Sequence, residues 1–570
     1  MWRAAPESRP NHPVFVRPLG LTELAFYWTA TRRGSGDIYM SLEVGATDNS
    51  LPSDAKFTET WCSIRRRFPL LAAQVRVVDG KECFVVQESY LSHVRAGELT
   101  LITIASSEVQ NFIHDLLDGS RPLSDELLAR VYIIRHPDCS NKLHILFVAT
   151  HMIADHKSSA TLSRVFLDVL SSGRDLPHLP LADRLAMVPA REALWPHNGM
   201  TAARRHWRKA IGFAVFSGGN SFPRKEPAAL VRSRMLATAI PPDISKTILA
   251  TCRAQGITFG NAFSILTHIA MSRVLHRLYL RGLISEEDWQ YCRMQPTYIN
   301  SPLDLRSYLD PVWYRNGGGG ELLLSSSSLR LSLPFMPISL QTPANRSEPP
   351  PFRDMLSLAR FHLRCKVMKS QTQKLFRHPL FLETTIGSSL ALLEQAKSAT
   401  DRDAKSGEEL GCRAYSSSSG VVAAYTITNL GVIDNIFPTS YPLDSEHPLS
   451  PWSPATHPAK AGFLTSSTPT PTRNGGDRPS GAYCLHVDDW QTYLQCRPGE
   501  LYIASSIFQE QLTMTMRFDA TIYDGEMVRE WLEEVKAACI WYLGYAQSGA
   551  LPTPQSRCKV TLLHTTPATT

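Results

Sequence analysis

Two stretches of the chain place a histidine and an aspartate four residues apart, His114-Asp115-Leu116-Leu117-Asp118 and His151-Met152-Ile153-Ala154-Asp155. A neutral imidazole accepts a proton at cellular pH, so such a histidine is a candidate general base. The pentapeptide alone is weak evidence. With 18 histidines in the chain, about one copy is expected by chance. Setting separates the two. His114 ends a helical stripe of Val109, Phe112, Ile113, Leu116 and Leu117, with Gly119 placed as a C-cap. There a histidine and its acids belong to a solvated helix end. His151 instead follows the apolar run Leu143 to Ala149 and precedes a polar stretch, His156-Lys157-Ser158-Ser159, suited to start a helix. Strand-to-helix loops hold reactive side chains rigidly, which favours the second copy.

The elements that must position His151 are legible nearby. Ala129 to Arg135 and Leu143 to Thr150 read as strands joined by a polar turn, a hairpin signal. Leu162, Val165, Phe166, Val169 and Leu170 form an amphipathic helical stripe after the loop. Upstream, Thr58 to Arg67 reads as a helix ending in a basic cap of Arg65, Arg66 and Arg67, and Ala73 to Val78 as a strand. A proline-rich crossover over 177–205 divides a first part, 1–176, from a second, 206–570. The second part restarts with a strand near Ser233 to Ala239 and helices near Pro242 to Gln255 and Thr258 to Leu280. Gly317 to Gly320 and Ser325 to Ser328 mark a loop-rich insertion, the glycines reading as a flexible loop. Residues 441–481, dense in Pro, Ser and Thr, read as a disordered insertion. Tyr502 to Phe508 and Leu512 to Asp519 read as strands, and Asp524 to Leu543 as a helix. Strands mixed with helices in both parts indicate an α/β or α+β fold.

Composition narrows the function class. Hydrophobic residues at 43% and charged residues at 19% suit a globular protein, and a net charge of +7 over 570 residues forms no dense basic block. No nucleic-acid partner is expected. Eleven scattered cysteines show no CxxC or CxxC…HxxxH spacing, so no metal site is expected and a reducing, cytoplasmic setting is. Residues 1–20 lack an apolar h-region, and no apolar run reaches eighteen residues, so neither a secretory signal nor a membrane span is expected.

With these segments in hand, the chain resembles the superfamily of acyltransferases sharing the chloramphenicol-acetyltransferase fold, nearest to fungal alcohol and trichothecene O-acyltransferases. Six segments carry the resemblance, in order: Arg17-Pro18-Leu19-Gly20-Leu21-Thr22-Glu23; Arg66-Arg67-Phe68-Pro69-Leu70-Leu71; His151 to Asp155 with Ser158 or Ser159; Cys252 to Thr258 with Ala262 and Leu266; Asn300 to Arg306; and Thr426 to Ile433. Thr150 replaces the first of two histidines found in condensation domains, and His156 replaces the glycine that usually follows the aspartate.

The resemblance implies two subdomains of mixed β-sheet flanked by helices, with an active-site tunnel between them. It implies His151 as general base, Asp155 as a structural residue of its loop, and Arg306 as the ion-pair partner of Asp155. Thr428, Asn429 and Gly431 become candidates for the substrate or oxyanion site. No permanently bound cofactor is implied; acyl-CoA, above all acetyl-CoA, is the co-substrate and a small-molecule alcohol the acceptor, handled by a monomer. A carrier-protein-dependent condensation enzyme and an inactive binding protein of the same fold are the rivals.

Overall fold

The computed structural model describes the chain except residues 10–11, 32–33, 48–49, 178, 197–199, 217–230, 295, 335–347, 407–423, 453–482 and 546–570. Two six-stranded sheets organise it. The first runs, edge to edge, Ser440–Tyr441, Leu485–Leu494, Ile38–Ala46, Lys142–Ala149, Ala129–Arg135 and Leu99–Thr103. The second runs Ser326–Leu333, Thr297–Asp304, Tyr425–Val432, Leu501–Phe508, Gln511–Asp519 and Ser233–Ile240. Both mix parallel and antiparallel pairs. A small four-stranded sheet gathers Arg3–Ala4, Val14–Pro18, Lys81–Gln87 and Gln74–Val78.

Each large sheet buries its apolar residues against helices. Met40, Leu42, Ile145 and Phe147 pack with Phe57, Trp61, Phe166 and Leu170, from helices Asp54–Arg67 and His156–Ser172. Ile427, Ile503, Met514 and Met516 pack with Phe263, Leu266, Trp531 and Val535, from helices Phe259–Leu280 and Gly525–Leu543. The two halves interlock. Strand Leu485–Leu494 comes from the second half of the chain, yet it pairs antiparallel with Ile38–Ala46 in the first sheet.

Several sequence expectations need correction. Ser326 to Ser328 are not loop but open a strand, antiparallel to Thr297–Asp304. Gly317 to Gly320 is a tight turn rather than a loose one: Gly318 is buried, and a Cβ there would sit 2.1 Å from the Trp313 ring. The arginines ending helix Asp54–Arg67 are more than a solvated cap. Arg65 is buried in an ion pair with Glu98 (2.8 Å), and Arg67 grips Glu321 with both terminal nitrogens (2.7 and 2.8 Å). Most of the insertion expected to be disordered, 453–482, lies outside the described residues. Its first part is packed: Tyr441 and Ser450 are buried, and the Leu443 amide donates to Asp168 (2.7 Å).

Candidate active site

Strand Lys142–Ala149, held between two antiparallel neighbours, ends in a turn that carries His151. Thr150 fixes the strand end: it is buried and its amide donates to the Leu128 carbonyl (3.0 Å). The chain then enters helix His156–Ser172, capped by Asp155, whose carboxylate accepts from the Ser158 amide (3.0 Å). An N-terminal carboxylate satisfies a free helix amide and complements the helix dipole. His156 takes the first helical position, and its backbone lies outside the left-handed region. The missing glycine therefore leaves the loop geometry intact.

Asp155 also reaches into the second half. It accepts from both terminal nitrogens of Arg306 (2.9 and 3.0 Å) and from the Ser325 amide (2.9 Å). Arg306 is completely buried and further donates to the Ser158 hydroxyl (2.8 Å), the Leu323 carbonyl (2.9 Å) and Asp304 (2.8 Å). Burial alone would raise the Asp155 carboxyl. The Arg306 charge and the donated hydrogen bonds outweigh it and hold the group at about 2. Residues 155, 158, 306, 323 and 325 thus form one fastening across the halves, with every oxygen of the carboxylate engaged.

His151 is half-buried, its ring centroid 4.3 Å from that of Phe26. Its Nδ1 is buried with no side-chain partner, which leaves Nε2 as the candidate proton-accepting atom. Burial pulls its pKa from 6.5 to about 4; backbone hydrogen bonds at His151 itself and at Ala154, with the Asp155 charge, oppose the shift, and Arg497 adds to it. The ring is neutral at pH 7. It can accept a proton.

Thr428 is buried on the Tyr425–Val432 strand beside the Tyr502 phenol. This face of the second sheet also carries Arg517, which lies over Tyr502 and donates to the Thr492 carbonyl (2.9 Å) of the first sheet. Asn429 and Gly431 are placed otherwise. Asn429 alternates onto the opposite face, against Gly260 of helix Phe259–Leu280, where its Oδ1 accepts from the Gly431 amide (3.1 Å). Gly431, at φ +75°, serves the irregularity that ends the strand. With these partners Asn429 and Gly431 sit on the helix side and at the end of the strand, whereas Thr428 shares a face with Tyr502 and Arg517.

The other His-x-x-x-Asp copy is a helix end: Asp118 pairs with Arg234 (2.7 Å), and the Gly119 amide closes the helix on the Asp115 carbonyl. Sequence reasoning missed Phe26, Arg497, Tyr502 and Ser325. They come from three well-separated stretches, near 26, 325 and 497–502, and no local pattern marks them. Among the described residues there is no cluster of three metal-ligating side chains, the cysteines are free, and no helix is long and apolar enough to cross a membrane.

No family model and no curated protein matches the chain. Solved structures do. A trichothecene 15-O-acetyltransferase from Fusarium sporotrichioides superposes with a TM-score of 0.66 over 95% of this chain and 96% of that one, at 11% identity. The chain has the chloramphenicol-acetyltransferase-like fold. The same two-subdomain fold is shared with the first condensation domain of the calcium-dependent antibiotic synthetase, at a TM-score of 0.55 and 12% identity over 93% and 96% of the two chains. It is shared too with the starter condensation domain of rhizomide synthetase, solved with C8-CoA and Leu-SNAC, at 0.55 and 10% identity over 93% and 94%.

Proposed function

We propose that this protein is an acyl-CoA-dependent O-acyltransferase, with acetyl-CoA as the donor and a hydroxyl of a specialised metabolite, such as a terpenoid, polyketide or glycolipid, as the acceptor. The observation that carries this reading is a neutral, half-open imidazole on a turn fastened by a buried ion pair, within a fold shared with an acetyltransferase. In the proposed reaction His151 Nε2 takes the acceptor's hydroxyl proton while the oxygen attacks the thioester carbonyl. The resulting oxyanion collapses, the C–S bond breaks, and the imidazolium returns the proton to the departing thiolate. Base catalysis of this kind is worth ~10²–10⁴-fold.

Thr428, with the Tyr502 phenol beside it, is the proposed source of hydrogen bonds to the oxyanion. Asp155 and Arg306 touch no reacting atom in this scheme; they hold the turn. We read the protein as a cytoplasmic monomer acting on small molecules. The test is a panel of acyl-CoA thioesters with candidate alcohols, read by free-thiol release, beside a carrier-bound acyl donor with amine acceptors. Alcohol-dependent thiol release from an acyl-CoA supports the proposal. Turnover confined to the carrier-bound donor would make the chain a condensation-type enzyme, and failure to bind coenzyme A by calorimetry would make it a binding protein.

A further inference from the structure

Several buried or half-buried arginines in this protein meet a carboxylate, Arg17 with Glu23, Arg65 with Glu98, Arg121 with Asp37, Arg273 with Glu534 and Arg306 with Asp155, and others, Arg164 and Arg517, donate to a backbone carbonyl instead. Among the described residues Arg497 does neither through its guanidinium. It sits in the turn between strands Leu485–Leu494 and Leu501–Phe508, where its backbone amide, not its guanidinium, binds Glu500 (2.9 Å). Its guanidinium carbon lies 5.4 Å from the Phe26 ring centroid, and that ring packs against His151. Its Nε is buried without a partner, and among the described residues no carboxylate pairs with it. Its charge bears on both His151 and Tyr502.

A guanidinium partly removed from water, with its fork unfilled, is matched to a planar oxyanion that it can bind through two parallel hydrogen bonds. The pantetheine arm of coenzyme A keeps the phosphates far from the thioester, so a cation beside the base meets a charge on the acyl chain or on the acceptor. We infer that Arg497 is a binding residue for a carboxylate carried by one of the two substrates, close to the hydroxyl that reacts at His151. This rests on the acyltransferase reading.

Two arms distinguish the sources. Succinyl-CoA is compared with butyryl-CoA on a neutral alcohol, and a hydroxy acid with its amide using acetyl-CoA. In one arm the carboxylate substrate is preferred. Arg497→Gln then cuts that preference about 10- to 100-fold, mainly through KM, as expected for losing a charged hydrogen bond, and Arg497→Lys restores part of it. No preference in either arm, or a uniform fall in kcat for neutral and anionic substrates alike, overturns the inference. A readout independent of turnover is the pH midpoint of His151 modification by diethyl pyrocarbonate, followed by peptide mass. Hexanoate raises that midpoint in the wild-type protein and hexanamide does not, while in Arg497→Gln hexanoate has no effect. If hexanoate leaves the wild-type midpoint unmoved, the carboxylate site is refuted even where the acyltransferase activity stands. If no thioester is turned over but hexanoate moves it, the site stands and the acyltransferase reading falls.

Discussion

Replacing Asp155 by asparagine tests whether the fastening at the turn is structural. The carboxylate accepts from Arg306 twice, from the Ser158 amide and from the Ser325 amide, and both it and Arg306 are buried. Its shift from 3.8 to about 2 corresponds to roughly 2 kcal/mol favouring the charged form. Asparagine does worse than a neutral carboxyl, because its amide group turns donors toward the donors of Arg306 or Ser325. Removing one member of a buried pair costs about 3–5 kcal/mol. For a cooperative unit of subdomain size this lowers Tm by about 6–20 °C.

The pH dependence follows the same sign. A depressed carboxyl contributes stability above its unfolded pKa and loses it as pH falls through the folded value. The gap between wild type and Asp155→Asn is therefore constant from pH 5 to 8 and narrows only as pH drops below about 4. Thermal unfolding followed by circular dichroism reads both. The double variant Asp155→Asn with Arg306→Met should lose less than the sum of the singles, because the uncompensated charge is gone. A Tm within about 1 °C of wild type, accompanied by lost activity, would refute the structural role and move Asp155 into the chemistry.

Two more outcomes are expected. Because burial holds His151 at about 4, kcat/KM should stay on its plateau well below pH 6 and fall with an acidic midpoint near that value; a midpoint at 6.5 or above would contradict the burial of the ring. Gly318→Ala must displace the Trp313 ring, whose Nε1 donates to the Met187 carbonyl (3.0 Å), so chemical denaturation should show a loss of about 1–3 kcal/mol, and an unchanged midpoint would show that the turn yields freely.

What the sequence made legible follows the range of the interactions. The hairpin of Ala129–Arg135 and Lys142–Ala149, the turn at His151 and helix His156–Ser172 depend on near neighbours, and the apolar pattern with its polar breaks revealed them. The partner of Asp155 lies 151 residues away, and only the ordered resemblance pointed to Arg306. Ser325, Phe26 and Arg497 reach the site through pairings such as Leu485–Leu494 on Ile38–Ala46, which no local signal encodes. The serine run misled because composition was weighed above period: Leu329, Leu331 and Leu333 alternate with Ser328, Arg330 and Ser332, a half-buried strand. Asn429 lies on the recognised strand, one step of alternation from Thr428, and its side chain meets the helix layer.

The measurement that bears most directly on the account is single-turnover acyl transfer by His151→Ala, with its melting temperature taken alongside. The fastening across the halves runs through Asp155 and Arg306 rather than through the imidazole, so the variant should melt close to the wild type while transfer falls ~10²–10⁴-fold. A variant that keeps most of its rate would show that some other group accepts the proton.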